Sequence, residues 1–376
     1  MNQTARIISI YAADTSGFCS ALYEYGGMTV IHDASGCNST YTTHDEPRWY
    51  DKDTMMYISG FTEQDAIMGN DERFVHDLCL AANELKPEFV AICASPLPAM
   101  TGVDLDAIAY EVEASTGIPS FAVKTNGMQS YITGAANAFT DLAMHFTEDM
   151  PRLDRAINLL GVTPLDFPLK GTTDAFRKWL SEYNFTLNAN IGMDTNLDQI
   201  RSLSRAQASL VVSSSGLSLA RYLYSEYQIP YVIGCPFGRK LASIIAKDLE
   251  IAIEENINIE SAKNNRVYGE EIAIVGESIL STSLAASLSL EYKTKVRVLE
   301  SVGDGDMTQL IQGDVSCDDE DILEKELTKS KTVIGDPLFQ PICKNQKFIR
   351  LPHPAFSGRC FSAEDKIWIN NDLFEI

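Results

Sequence analysis

Short, nearly continuous apolar runs recur along this chain, and they limit its fold more than any other feature. They cover residues 89–93, 118–123, 156–161, 208–212, 229–234, 271–276, 295–299, 332–335 and 347–351. A strand with one wet face alternates apolar and polar residues, whereas a strand covered on both faces does not. Helical patterns lie between the runs. One spans 105–116 and stops at Gly117, with Pro119 just beyond; others span 217–227 and 278–292, the last opened by Gly276-Glu277-Ser278. Glycine ends a helix well because it tolerates the left-handed cap conformation. This alternation predicts βαβ units and doubly wound α/β sheets. The pattern breaks near 147–155 and again near 257–269. The expected architecture is three Rossmann-like α/β domains with mainly parallel sheets, at 1–150, 151–265 and 266–376. The acidic stretch 314–321 reads as a solvated approach to a helix.

Composition narrows the partners. With 45% hydrophobic and 22% charged residues the chain is globular, and its net charge is −22. Such a surface repels nucleic acid and anionic membranes, so neither is expected as a direct partner. No apolar stretch approaches the ~18 residues of a membrane span, and the first residues are too polar for an export signal. A cytoplasmic location is therefore expected. There the eight cysteines serve as free thiols or metal ligands rather than as disulfides.

Familiar nucleotide and hydrolase motifs are missing. No P-loop is present, so no ATP site is expected in this chain, and no Gly-x-Gly-x-x-Gly follows a strand. The five histidines form no His-Glu-x-x-His, and no Gly-x-Ser-x-Gly elbow occurs. Ser213-Ser-Ser-Gly216 reads as a helix-capping turn.

The cysteines carry more information. Cys37 lies in His32-Asp-Ala-Ser-Gly-Cys-Asn38, directly after the apolar run 28–31, and Cys93 closes the run 89–93. Both fall at the carboxyl ends of predicted strands, the edge where open α/β sheets bind ligands. Cys19 precedes a short helical stretch. Soft thiolates at such an edge suit an iron–sulfur cluster; the competing reading is a buried, purely structural thiol. Cys235, in Val232-Ile-Gly-Cys-Pro-Phe-Gly238, is placed at a strand end facing a cleft and is a cavity candidate, as are His44, Arg48 and His353. Trp49 and Tyr50 belong to the same polar, aromatic stretch as Arg48, which equally fits an ordinary interface. Cys79 reads as core.

Taken in order, these segments resemble the nitrogenase component 1 type oxidoreductases. Cys19-Ser-Ala-Leu-Tyr and Val30-Ile-His-Asp-Ala-Ser-Gly-Cys37 are similar to that family's N-terminal part, and Cys93 stands where a third ligand would. Ser59-Gly-Phe-Thr-Glu-Gln-Asp-Ala-Ile-Met-Gly69 resembles its Glu-x-Asp-x-x-x-Gly segment. Gly127-Met-Gln-Ser-Tyr131 resembles a Gly-Phe loop, with Met in place of Phe. Ile157-Asn-Leu-Leu-Gly161, Ile229-Pro-Tyr and Pro352-His-Pro-Ala-Phe-Ser-Gly358 extend the likeness through the middle and closing segments.

The resemblance implies an oxidoreductase subunit. Cys19, Cys37 and Cys93 would hold an iron–sulfur cluster, [4Fe–4S] or larger and P-cluster-like, shared at a subunit interface with a second copy or a paralogous chain. Electrons would come from a separate ATP-dependent [4Fe–4S] reductase and pass to a small-molecule substrate in a cavity between domains. Two departures matter. Ser213 stands where molybdenum nitrogenase has a cofactor-ligating Cys, although His353 is the nearest match to its ligating His, so dinitrogen reduction is not expected. The chain is also shorter than nitrogenase subunits and closer in size to the tetrapyrrole-reducing relatives. A non-catalytic scaffold for metallocofactor assembly and a metal-free α/β binding protein are the alternatives.

Overall fold

The computed structural model describes residues 12–34, 46, 48–302, 307–317, 319–357 and 366–373. The apolar runs become strands in three sheets. The first holds β1 (Met28–His32), β2 (Met55–Ile58), β3 (Val90–Ala94) and β4 (Ser120–Val123), in the order β2-β1-β3-β4. The second holds β5 (Ala156–Leu160), β6 (Thr186–Ile191), β7 (Ala208–Val211) and β8 (Tyr231–Ile233), in the order β6-β5-β7-β8. The third holds β9 (Ile272–Gly276), β10 (Val296–Glu300), β11 (Val315–Ser316), β12 (Thr332–Gly335) and β13 (Lys347–Arg350), in the order β11-β10-β9-β12-β13. Every pairing within these sheets is parallel, as the continuous apolar runs lead one to expect.

Strand order reverses once in each sheet: between β1 and β3, between β5 and β7, and between β9 and β12. At such a point the connecting segments diverge and leave a crevice at the carboxyl ends. Cys93 lies at the first reversal, Ser213 just past the second, and Glu277 and Asp336 just past the third.

Three strands escape the sequence pattern: β2, β6 and the two-residue β11 inside the acidic stretch. β2 is an edge strand, none of its residues fully buried. β6 carries Asn188 and Asn190, which look like loop residues. Both side-chain amides donate to partners away from their own strand: Asn188 to Asn158 Oδ1 at 2.8 Å, and Asn190 to Thr173 at 3.2 Å. The stretch 314–321 also departs from the solvated reading. Asp319 does cap the helix Glu320–Leu327, but Asp314 is fully buried. Its two oxygens meet Arg266 NH1 and NH2 at 2.7 Å each.

Packing ties the sheets together. One apolar core joins Phe18, Phe89, Phe121 and Phe139, in and beside the first sheet, to Leu160 and Val211 of the second and Leu223 of the helix Leu217–Tyr227. The helices Asp14–Leu22 and Tyr131–Phe146 touch backbone to backbone. A Cβ on Gly17 would lie 1.9 Å from the Tyr131 carbonyl oxygen, and one on Gly134 would lie 1.8 Å from that of Asp14. The closing segment returns to the middle sheet, where Asn370 N donates to Pro236 O at 2.8 Å and Trp368 meets Phe237 edge to face. No helix among the described residues is long and apolar enough to cross a membrane.

Candidate functional site

The thiols come first. Cys93 on β3 is registered with Ile31 of β1 and Val123 of β4. Cys19 lies within, not before, the helix Asp14–Leu22, all of whose residues are buried. The helix is fixed at its start by Asp14, whose carboxylate accepts Asn126 N at 2.8 Å and Gly127 N at 2.7 Å. Cys19 and Cys93 share one buried cluster. Burial pushes both thiols up, with Glu46 adding to the rise at Cys19 and Cys19 adding to it at Cys93. Neutral buried thiols ionise only against a compensating cation, and two soft donors in one dry cluster suit an iron centre in their chemistry. Cys37 lies outside the described residues, as do His44 and Cys360. Among the described residues, no group of three or more His, Cys, Asp or Glu side chains is placed to hold a metal.

Beside this edge, His32 ends β1. Its Nδ1 lies 2.8 Å from Ser59 Oγ, and its ring stacks on Phe74 at 4.2 Å. Burial lowers its pKa to about 4.

Arg48 is enclosed by protein groups. Its guanidinium donates to Glu46 Oε1 at 2.7 Å, Glu24 Oε1 at 3.0 Å, Ser20 O at 2.7 Å and Gly192 O at 2.9 Å. It also covers the Tyr23 ring at 4.6 Å. With those donors engaged it clamps the first helix to the middle segment, and no ligand role remains for it.

A separate cavity of about 130 Å³ opens where the loop after β5, the end of β9 and the closing segment meet. Cys19 and Cys93 are not in its wall. Asp166, Glu277 and His353 are, against an apolar lining that includes Phe167, Leu280, Leu284 and Trp368. Tyr131 donates to Asp166 Oδ1 at 2.5 Å and Thr163 donates to Oδ2 at 3.1 Å. His353 Nε2 stands 3.2 Å from Asp166 Oδ1, yet neither ring nitrogen makes an aligned hydrogen bond.

Glu277 caps its own helix, Ser278–Tyr292, accepting Ile279 N at 2.9 Å and Leu280 N at 2.8 Å. It also accepts Ser214 N at 3.2 Å and the Ser214 hydroxyl. One carboxyl thus joins the turn after β7 to the start of that helix. A helix N-terminus favours the charged form, but here burial wins and pushes the carboxyl up to about 7, with Asp166 adding to the rise.

The remaining candidates sit behind the wall. Ser213 is buried, donates to Gly161 O at 2.9 Å and lies 2.6 Å from Ser215 Oγ. Cys235 is buried beneath the cavity rather than facing it, and its N–H donates to Ser283 Oγ at 2.9 Å. Burial raises this thiol, and then Glu277 and Asp166 do. Sequence reasoning missed Asp166, which no motif marks. A glutamate directly after the strand-ending Gly276, at the point where strand order reverses, was the available signal for Glu277.

A sequence model of the family described as "Nitrogenase component 1 type Oxidoreductase" matches residues 25–304. The "Nitrogenase iron-molybdenum cofactor biosynthesis protein NifE" of Sinorhizobium fredii is 28% identical over 212 residues, 52% of this chain and 42% of its own. Its namesake from Rhizobium meliloti is 27% identical over 259 residues, 62% of this chain and 54% of its own. The "Nitrogenase molybdenum-iron protein beta chain" of Nostoc sp. is 21% identical over 324 residues, 76% of this chain and 62% of its own. The chain spans about half the length of the curated relatives it first matches. A solved structure, "Nitrogenase Cp1 at pH 6.5", superposes with a TM-score of 0.70 over 99% of this chain and 90% of that one, at 15% identity. At that identity the likeness speaks for the fold.

Proposed function

The chain belongs to the nitrogenase component 1 type oxidoreductase family, and on that premise we propose that it is the cluster-carrying component of a two-component reductive system. Electrons come from a separate ATP-dependent iron–sulfur reductase. The acceptor is a small molecule in the cavity bounded by Asp166, Glu277 and His353. The observation that carries this reading is that Cys19 and Cys93, from different elements, are both buried and near enough for Cys19 to raise the Cys93 thiol, with Cys93 at the carboxyl end of its strand.

Cys19, Cys37 and Cys93 are the proposed ligands of an iron–sulfur cluster, which supplies one-electron transfer at that edge. Three thiolates fall short of the four that a cubane takes, so a second copy or a paralogous chain completes the set. The chain's own residues then link edge to cavity. The helix carrying Cys19 packs on Tyr131–Phe146, and the Tyr131 hydroxyl holds Asp166 in place at 2.5 Å. Reduction consumes protons with electrons, and a Glu277 carboxyl titrating near 7 can hold one at the cavity wall near neutral pH.

Anaerobic purification with iron and sulfide analysis and EPR tests this. Wild-type protein should carry iron, and Cys19→Ser, Cys37→Ser and Cys93→Ser should each lose most of it. A protein that stays free of iron after anaerobic reconstitution overturns the reading.

A second reading is a scaffold on which a metallocofactor matures, favoured by the relatives named as cofactor biosynthesis proteins. Steady turnover of any acceptor with a reductase and ATP would eliminate it.

A further inference from the structure

We propose that the cavity beside β9 takes a small organic cation, an amine or amidine on an apolar body, bound by the carboxyl groups of Asp166 and Glu277, and that it discriminates against anions. This deepens the reading above and rests on it only in treating this cavity as the acceptor site.

The argument begins with charge. The Asp166 side chain is fully buried and Glu277 is 1% exposed. Among the described residues, neither forms an ion pair with lysine or arginine. Their donors are neutral: the hydroxyls of Tyr131 and Thr163 on Asp166, and Ser214 with two backbone N–H groups on Glu277. Several other buried carboxylates of this chain are met by arginine. Asp314 has Arg266, Glu46 has Arg48, and Glu326 has Arg297. A buried negative charge without a cation is costly. This pair, unlike those three, faces a cavity without such a partner.

The other groups around the cavity fit the same ligand. Among the described residues His353 is the one imidazole in the wall, and both its ring nitrogens are buried without a hydrogen bond. It stands ready to accept an N–H from a ligand seated on Asp166. Phe167, Leu280, Leu284 and Trp368 offer an apolar, partly aromatic surface to the ligand body. Two cations also line the cavity, Arg350 and Lys366, but both are exposed. Arg350 points at Gln340 Oε1, 3.1 Å from its NH2. They form the outer rim, so the potential runs from positive outside to negative within, and a cation is held at the inner end.

Three probes of one shape and different charge test this on the wild-type protein: benzamidinium, benzamide and benzoate, by calorimetric titration and thermal shift at low salt. Benzamidinium should bind, and benzoate should bind at least about tenfold more weakly. Asp166→Asn and Glu277→Gln should each weaken benzamidinium about tenfold or more, the loss expected when one buried charged partner is removed. Leu280→Trp, which fills the cavity from a partly exposed wall position, should abolish binding of all three. Benzoate binding as tightly as benzamidinium, no binding of any probe, or an affinity for benzamidinium that survives Leu280→Trp would overturn the proposal. The wild-type comparison stands even if a carboxyl variant fails to fold. Iron analysis of the same preparation separates the two claims. Iron-free protein that prefers benzamidinium sinks only the redox reading; iron-loaded protein that prefers benzoate sinks only this one.

Discussion

His353 Nε2 stands 3.2 Å from Asp166 Oδ1, and the hydroxyl of Tyr131 reaches the same oxygen at 2.5 Å. Tyr131 follows the last strand of the first sheet, Asp166 follows the first strand of the second, and His353 follows the last strand of the third. A single carboxylate oxygen therefore gathers side chains from all three sheets. Changes there should be felt as loss of mutual packing and not only as loss of one contact.

Tyr131→Phe should show this. It keeps the ring and deletes a donor to a buried carboxylate, a change that costs roughly 1–3 kcal/mol. Urea denaturation followed by circular dichroism should give a lower midpoint. An unchanged midpoint would mean that the hydroxyl contributes nothing net.

Stability should respond to pH through two groups of opposite sign. Glu277 titrates near 7 in the folded chain against an ordinary 4.5. Between those values the folded state holds the extra proton, so stability falls as pH rises. His32 titrates near 4 against an ordinary 6.5. There the unfolded state holds the extra proton, so stability falls as pH drops. From pH 4.5 to 6.5 the two slopes oppose each other in the wild type. Glu277→Gln should remove one of them and leave a steeper loss on acidification, read from melting temperatures across that range. A variant profile parallel to the wild type would contradict the assignment.

The Arg266–Asp314 pair should be the costliest single ion pair to break. Both side chains are fully buried, and Asp314 also accepts Val298 N and Ile311 N at 2.8 Å each. Asp314→Asn leaves a buried guanidinium uncompensated, with an expected cost of about 3–5 kcal/mol. Replacing both partners with apolar residues of similar volume should cost less than the single change. Chemical denaturation of the two variants compares them directly.

Gly134→Ala should displace the helix that carries Cys19. The added methyl would lie 1.8 Å from a backbone oxygen of Asp14, which cannot rotate away. Overpacking of this kind costs about 1–3 kcal/mol. A lower melting temperature, with reduced iron retention after anaerobic reconstitution, is the expected result. Wild-type stability would show that the two helices are free to separate.

Much of this was legible in the residues. The helices Leu105–Thr116, Leu217–Tyr227 and Ser278–Tyr292 keep the bounds their patterns predict, and Gly117 takes the left-handed cap conformation, although the turn 213–216 makes no side-chain cap bond. The apolar runs became parallel strands, and Cys93 took its place at a strand end. β2 and β6 were not legible, because an edge strand needs little apolar surface and because the asparagines of β6 are answered by partners distant in sequence.

Local sequence by itself determined most of the strands and the long helices, because these depend on neighbours a few residues away. It also placed one thiol, Cys93, at the carboxyl end of a strand. Only the tertiary structure decided which charges are buried and against what. Arg48 reads as a cavity residue until Glu24, Glu46 and Gly192 enclose it. Asp314 reads as solvated until Arg266 meets it. Asp166, Glu277 and His353 share no motif or spacing, and they meet because segments after strands of the second and third sheets come together at one cavity. Desolvation depends on the surfaces that come together, and that is a property of the whole packed chain.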